Sequence, residues 1–251
     1  MTEQVLVEVC VDSVESAVAA EGGGAGRVEL CSNLLEGGVT PSAGLIAAVR
    51  DKISIGLHVM IRPRAGDFCY SEEEIEIMRR DIVAAKDLGT DGVVLGVLNS
   101  EGLVDTPLTR ELTELARPLK VTFHRAFDMS ANLPLALEDV CAIGVDYLLT
   151  SGGEPTCLQG AEMIAQLVKA ARGRVSVMAG AGIGHEEAAG IIEATGVREI
   201  HVGLSSPVTS PMLYRNLRVS MGKAPGREYH RMQVLEENVR KLVHAISLAK
   251  T

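Results

Sequence analysis

The sequence predicts an α/β protein, a TIM-like (β/α)8 barrel with a C-terminal loop and a closing helix. Three observations carry this. Short runs rich in β-branched residues alternate with longer helical patterns, there are eight such runs, and the length of 251 residues matches the roughly 250 typical of such barrels. Regular strand–helix alternation gives a parallel sheet with crossover helices. An open doubly wound sheet is disfavoured, because the units are evenly spaced and no Gly-rich loop follows the first strand. No linker, composition break or low-complexity tract interrupts the chain, so residues 1–251 read as a single domain.

The elements follow in order. Val5–Val11 is the first strand, and Asp12 is the expected N-cap of a helix over Ser13–Glu21. Arg27–Cys31 is the second strand. Its helix, Pro41–Arg50, places Pro at the first helical position after Thr40. Gly56–Ile61 leads to a helix over Ser71–Leu88, which opens with a capping box at Ser71-Glu72-Glu73-Glu74 and stops at Gly89. Gly92–Gly96, Lys120–His124, Asp146–Thr150, Arg174–Ala179 and Glu199–Leu204 complete the strands. Thr109–Ala116, Leu133–Ile143, Leu158–Ala171 and His185–Ala194 are the helices between them, with Gly144 and Gly196 as C-cap glycines. Residues 205–232 show little periodicity and are expected to pack as a loop across the barrel wall or against another subunit. Gln233–Ala249 then reads as the closing helix.

Composition excludes several functions. With 24 Lys and Arg against 33 Asp and Glu, the net charge is -9, which repels phosphate backbones and argues against a nucleic-acid partner. No apolar run approaches the ~18–20 residues of a membrane span. The start, Met1-Thr2-Glu3-Gln4, lacks the basic and apolar regions of a secretory signal, so a cytoplasmic location is expected. Aromatics are 3% with no Trp, too few for a large stacking platform, and no organic cofactor motif is evident. The five cysteines, Cys10, Cys31, Cys69, Cys141 and Cys157, are odd in number and widely spaced. They read as free thiols in a reducing compartment, with no zinc spacing.

In a barrel, alternate strand residues point inward and the site forms at the C-terminal strand ends. Glu8, Cys10 and Asp12 share one face of the first strand, and Glu29 and Cys31 one face of the second. The Glu-x-Cys triplet thus occurs twice on neighbouring strands, about 4.8 Å apart. Two facing thiols suit a soft metal, above all Cu(I). They also suit a redox disulfide, or simply two small core residues. On the third strand His58, Met60, Arg62 and Arg64 share a face. The fifth ends Thr122-Phe123-His124-Arg125, with Asp128 beyond, the sixth ends at Thr150, and the eighth carries His201. Buried carboxylates need partners, and Arg62 and His124 are the expected ones for Glu8 and Glu29. The set reads either as a structural ion network or as a pocket with an acid/base His and an anion-holding Arg. The loops Thr150-Ser151-Gly152-Gly153 and Ala179-Gly180-Ala181-Gly182 leave phosphate binding open.

The segments Glu8-Val9-Cys10-Val11-Asp12-Ser13, Arg27-Val28-Glu29-Leu30-Cys31, Gly37-Gly38-Val39-Thr40-Pro41-Ser42, Met60-Ile61-Arg62-Pro63-Arg64, Gly66-Asp67-Phe68, Thr122-Phe123-His124-Arg125-Ala126-Phe127-Asp128 and Leu149-Thr150-Ser151-Gly152 resemble the CutC copper-homeostasis family. They run in the same order from about Val7 to Gly203. The cysteine-containing form of both triplets is similar to animal members more than bacterial ones. The Ala179-Gly180-Ala181-Gly182 stretch departs from the family in lacking a fuller glycine run. The resemblance implies a TIM-like barrel that is cytosolic, with the nucleus as a second location. It also implies a homo-oligomer, with tetramers described for animal-type members, and a role in copper homeostasis. Carried over by position, the Cu(I) ligands it implies are Cys10 and Cys31. An alternative is an enzyme acting on a small anionic metabolite, with Glu8, Glu29, Arg62, His124 and Asp128 lining its pocket.

Overall fold

The computed structural model describes residues 5–221 and 228–248. Its centre is a closed parallel barrel in chain order: β1 (Leu6–Val11), β2 (Arg27–Leu30), β3 (Gly56–Met60), β4 (Gly92–Leu95), β5 (Lys120–Phe123), β6 (Tyr147–Thr150), β7 (Ser176–Gly180) and β8 (Glu199–Val202). β1 closes on β8, with Glu8 opposite His201. Around it lie α1 (Val14–Gly22), α2 (Ala43–Arg50), α3 (Glu72–Asp87), α4 (Thr106–Ala116), α5 (Leu133–Ile143), α6 (Ala161–Ala171), α7 (Ala188–Thr195) and α8 (Glu236–Leu248).

Each strand divides its residues between two environments. Val9, Leu30, Val59, Leu95, Phe123, Leu148, Ala179 and Val202 are buried in one apolar core with Ile46, Val49, Met78, Ile82, Leu112, Val140, Ile164, Ile191, Val239 and Leu242 of the helices. Barrel interiors are usually filled with branched apolar side chains as well. Here the lumen is polar. Arg27 of β2 stacks 4.4 Å from the Tyr147 ring of β6 and reaches Met178 of β7, contacts possible only across the lumen. Glycine makes the room: a Cβ on Gly92 or Gly96 would come within 2.5 Å of the His58 or His124 ring, respectively.

The helix starts show which polar groups win the orphan N–H donors. Ser71 and Glu74 form the expected capping box on α3, and Gly144 and Gly196 end α5 and α7 in the left-handed conformation. Two expected caps shift. Ser13, not Asp12, caps α1 by accepting from the Ser16 N–H. Ser42, not Thr40 followed by Pro41, caps α2, because the Thr40 hydroxyl is taken by the Arg62 N–H, 2.9 Å away at the end of β3.

The largest correction lies in the tail. Residues expected as a loop form an antiparallel ribbon of β9 (Ser205–Thr209) and β10 (His230–Val234). Val234 donates to the Ser16 hydroxyl of α1, which ties the ribbon to the barrel's outer layer. Because Gln233 and Val234 pair with Ser206 and Ser205, α8 begins only at Glu236. It packs on both α1 and α7, so the closing helix is the eighth helix of the barrel, and the ribbon is an insertion in the last βα loop. Residues 222–227 of the expected tail, Ala249 of the expected helix and both chain ends of the expected domain lie outside the described residues. Among the described residues no helix is long and apolar enough to cross a membrane.

Candidate functional site

The C-terminal ends of β1, β2 and β8 bring together two thiols, two carboxylates and an imidazole. Strand pairing sets Cys10 opposite Glu29, not Cys31. The stagger still leaves Cys10 Sγ 3.9 Å from Cys31 Sγ, and each sulfur lies 3.3 Å from Glu29 Oε2. His201 bridges the two carboxylates: Nδ1 is 2.7 Å from Glu8 Oε1 and Nε2 is 3.8 Å from Glu29 Oε2. Cys31 also packs with Met60 and Val94.

The expected counter-charges for Glu8 and Glu29 are not those found. Arg62 is turned the other way and donates to the carbonyls of Glu36, Gly38 and Gly66. His124 Nδ1 accepts from the Ala126 N–H. The partners of Glu8 are instead Arg27, which pairs with it and with Glu199 at 2.6 Å, and His201, with His58 Nδ1 at 4.0 Å. Arg27 and Glu199 are thus site residues beyond those the sequence pointed to, whereas His58 stands on the inward face expected for it. The signal for Arg27 and Glu199 was the strand period: Arg27 stands two before Glu29, and Glu199 two before His201.

Charge in the cluster is distributed by these contacts. Burial would raise the Glu8 carboxyl, but Arg27, His201 and His58 hold it below the ordinary carboxylate range. Burial would lower His201, but Glu29, Cys10 and Glu8 push it well above the ordinary imidazole value, so it is a cation. The Cys31 hydrogen bond lowers Cys10 to about 5, with His201 helping against burial. The same Cys10 contact, with burial, raises Cys31. Burial lifts Glu29 to about 8 against the pull of His201, with the negative Cys10 and Glu8 adding to the rise. At neutral pH the centre therefore holds one thiolate and one imidazolium, beside a protonated thiol and a protonated carboxyl.

The remaining expected residues fall elsewhere. Asp128 binds the loop after β6: Thr150 Oγ1 donates to it at 2.5 Å, Arg125 Nε at 2.7 Å, and the Ser151 and Gly153 N–H groups also donate. Gly152 N–H is held by Thr150 Oγ1. These amides are already satisfied by the protein, which removes the cradle a phosphate would need there. Arg64 fastens the loop after β3 to Glu74, Asp67 and the Cys69 carbonyl. Asp12 is half-buried one residue beyond β1, outside the thiol cluster.

Fold and site define a (β/α)8 barrel whose lumen carries a buried thiol–carboxylate–imidazole centre at the strand ends. Residues 5–206 match the CutC family model. The chain belongs to the CutC family. The mouse copper homeostasis protein cutC homolog is 46% identical over 242 residues, covering 96% of this chain and 89% of that protein. A CutC family protein of Chromobacterium violaceum is 46% identical over 244 residues, 97% of this chain and 99% of that one. The crystal structure of CutC from Streptococcus agalactiae superposes with a TM-score of 0.75 at 33% identity, over 79% of this chain and 98% of that one.

Proposed function

We propose that this chain is a copper-homeostasis protein that takes Cu(I) as cargo between Cys10 and Cys31. The observation that carries the reading is the 3.9 Å separation of the two sulfurs, with one of them already a thiolate. Metal–thiolate bonds of about 2.3 Å let one ion touch two sulfurs at that distance. Thiolates also select Cu(I) over harder ions. Glu29 Oε2 lies 3.3 Å from each sulfur while its Oε1 is buried without a hydrogen-bond partner, and the same Glu29 also groups with Glu8 and His201. The mouse relative's name supports the same role.

The residues' own parts follow from their charges. His201 holds the Cys10 thiolate, Arg27 and Glu8 hold His201, and Glu29 keeps its proton near the sulfurs. The expected homo-oligomer, in the cytosol or nucleus, has a surface available in the insertion, where Leu213, Tyr214, Leu217 and Met221 are exposed. The test is an anaerobic Cu(I) titration against a chromophoric competitor. One Cu(I) per chain is expected, lost in Cys10→Ser/Cys31→Ser and kept in Cys69→Ser/Cys141→Ser. Unchanged stoichiometry in the Cys10→Ser/Cys31→Ser protein refutes the reading.

A further inference from the structure

We infer that the barrel mouth also binds a small carboxylate, between the ends of β3 and β5, on Arg62, Tyr70 and His124. This site is separate from the thiol centre and stands without the copper reading. Three buried groups there make no well-aligned hydrogen bond among the described residues: Arg62 Nε, the Tyr70 hydroxyl and His124 Nε2. Arg62 is 5% exposed and His124 4%, so solvent does not satisfy them. Two of them meet at one aromatic ring. The Arg62 guanidinium lies 4.9 Å from the Phe68 ring centre and the His124 ring 5.0 Å from it, while the Tyr70 hydroxyl lies beside Arg62, close enough to feel its charge and a side-chain contact from it.

All three groups are donors. His124 Nδ1 accepts from the Ala126 N–H, which leaves the ring proton on Nε2. Burial and the nearby Arg62 lower His124 to about 3, so the ring stays neutral. Burial lifts the Tyr70 hydroxyl to about 12, so it keeps its proton. The Arg62 charge is met by carbonyl oxygens, the Phe68 face and the neighbouring Tyr70 hydroxyl, with no ion pair to a carboxylate among the described residues. A buried cation without a counter-charge is costly. Three donors around one positive charge therefore call for an acceptor that carries one negative charge. A carboxylate supplies it. A phosphate dianion would bring one negative charge more than Arg62 offers, because His124 is neutral. The occupant enters beside Phe68, Arg64 and Tyr70, which are all partly exposed.

The test titrates the whole chain with acetate, succinate and inorganic phosphate at fixed ionic strength, with chloride as control. Thermal unfolding and the 15N signal of His124 Nε2 are followed. The carboxylates are expected to raise the midpoint saturably and to move that signal, with phosphate weaker. Tyr70→Phe and His124→Phe, each of which removes one donor and keeps a ring, should weaken binding tenfold or more. Binding should persist in Cys10→Ser/Cys31→Ser, which separates this site from the copper reading. No saturable response to either carboxylate overturns the site and leaves ordered water as its occupant. Stronger binding of phosphate, or undiminished binding in both ring variants, overturns it as well.

Discussion

After the Cys31 hydrogen bond, His201 is the group that most lowers Cys10, and His201→Gln isolates that role. The glutamine amide can still donate to Glu8 Oε1, which His201 Nδ1 meets at 2.7 Å, so the change removes charge more than architecture. In the native cluster Cys10 lies at about 5 against an ordinary 9.0, through the Cys31 hydrogen bond first and His201 next, against burial. An opposite charge within a few ångströms is worth about 1–3 pH units. Loss of His201 should therefore move Cys10 to roughly 6–8. At pH 6 the thiolate fraction would fall from about nine-tenths to half or less, since each pH unit is tenfold in the ionisation ratio. The assay is ultraviolet thiolate absorbance against pH in a Cys69→Ser/Cys141→Ser background, with iodoacetamide labelling of Cys10 read by peptide mass spectrometry. A midpoint unchanged by His201→Gln, or a native midpoint near 9, would refute the assignment.

Arg27→Met should be among the most damaging single changes. It strips Glu8 and Glu199 of a shared partner that is itself 4% exposed, and one-sided loss of a buried pair costs about 3–5 kcal/mol, measurable by urea unfolding. Gly96→Ala forces a methyl to within 2.5 Å of His124 Nδ1. It should cost about 1–3 kcal/mol, and part of that should return in Gly96→Ala/His124→Ala, as a double-mutant cycle would show. In acid, burial holds His58 at about 4 and, together with Arg62, His124 at about 3, both below the unfolded value of about 6.5. The unfolded chain then binds more protons, so the stability these two rings contribute is present above about pH 6.5 and lost as pH falls towards 4 and 3. Thermal midpoints against pH should fall less steeply in His124→Phe, and an identical slope would discount the ring.

The barrel was legible because its signals are local. Strand runs, the Ser71 capping box and the C-terminal glycines Gly144 and Gly196 each report on a few neighbouring residues. What failed depends on distance. Glu8 meets His201 across 193 positions only because β1 closes on β8, and no spacing in the chain announces that contact. Arg62 was the natural partner for a buried acid by charge alone, but three backbone carbonyls of neighbouring loops claim it. The ribbon after β8 escaped because β9 carries Pro207 and two serines and β10 is mostly exposed and polar, which hides the two-residue period. Even the register misled in detail, since barrel stagger sets Cys10 opposite Glu29 while still letting the sulfurs meet.

The cluster's proton inventory also predicts how the proposed Cu(I) capture should behave. Two thiolates are needed to hold the ion, because the thiolate and not the thiol is the ligand. Two ordinary thiols would release two protons at neutral pH. Here Cys10 has already lost its proton at pH 7, being at about 5, whereas Cys31 keeps its own, raised by the Cys10 contact and by burial. Glu29, lifted by burial to about 8, is already protonated and cannot absorb the one that Cys31 gives up. Loading at pH 7 should therefore release close to one proton per Cu(I). Titration calorimetry in buffers of different ionisation enthalpy reads that number directly. At pH 4, below the Cys10 value, the release should rise towards two. Two protons at pH 7 would mean that Cys10 is an ordinary thiol, and none would mean that Cys31 is not a ligand.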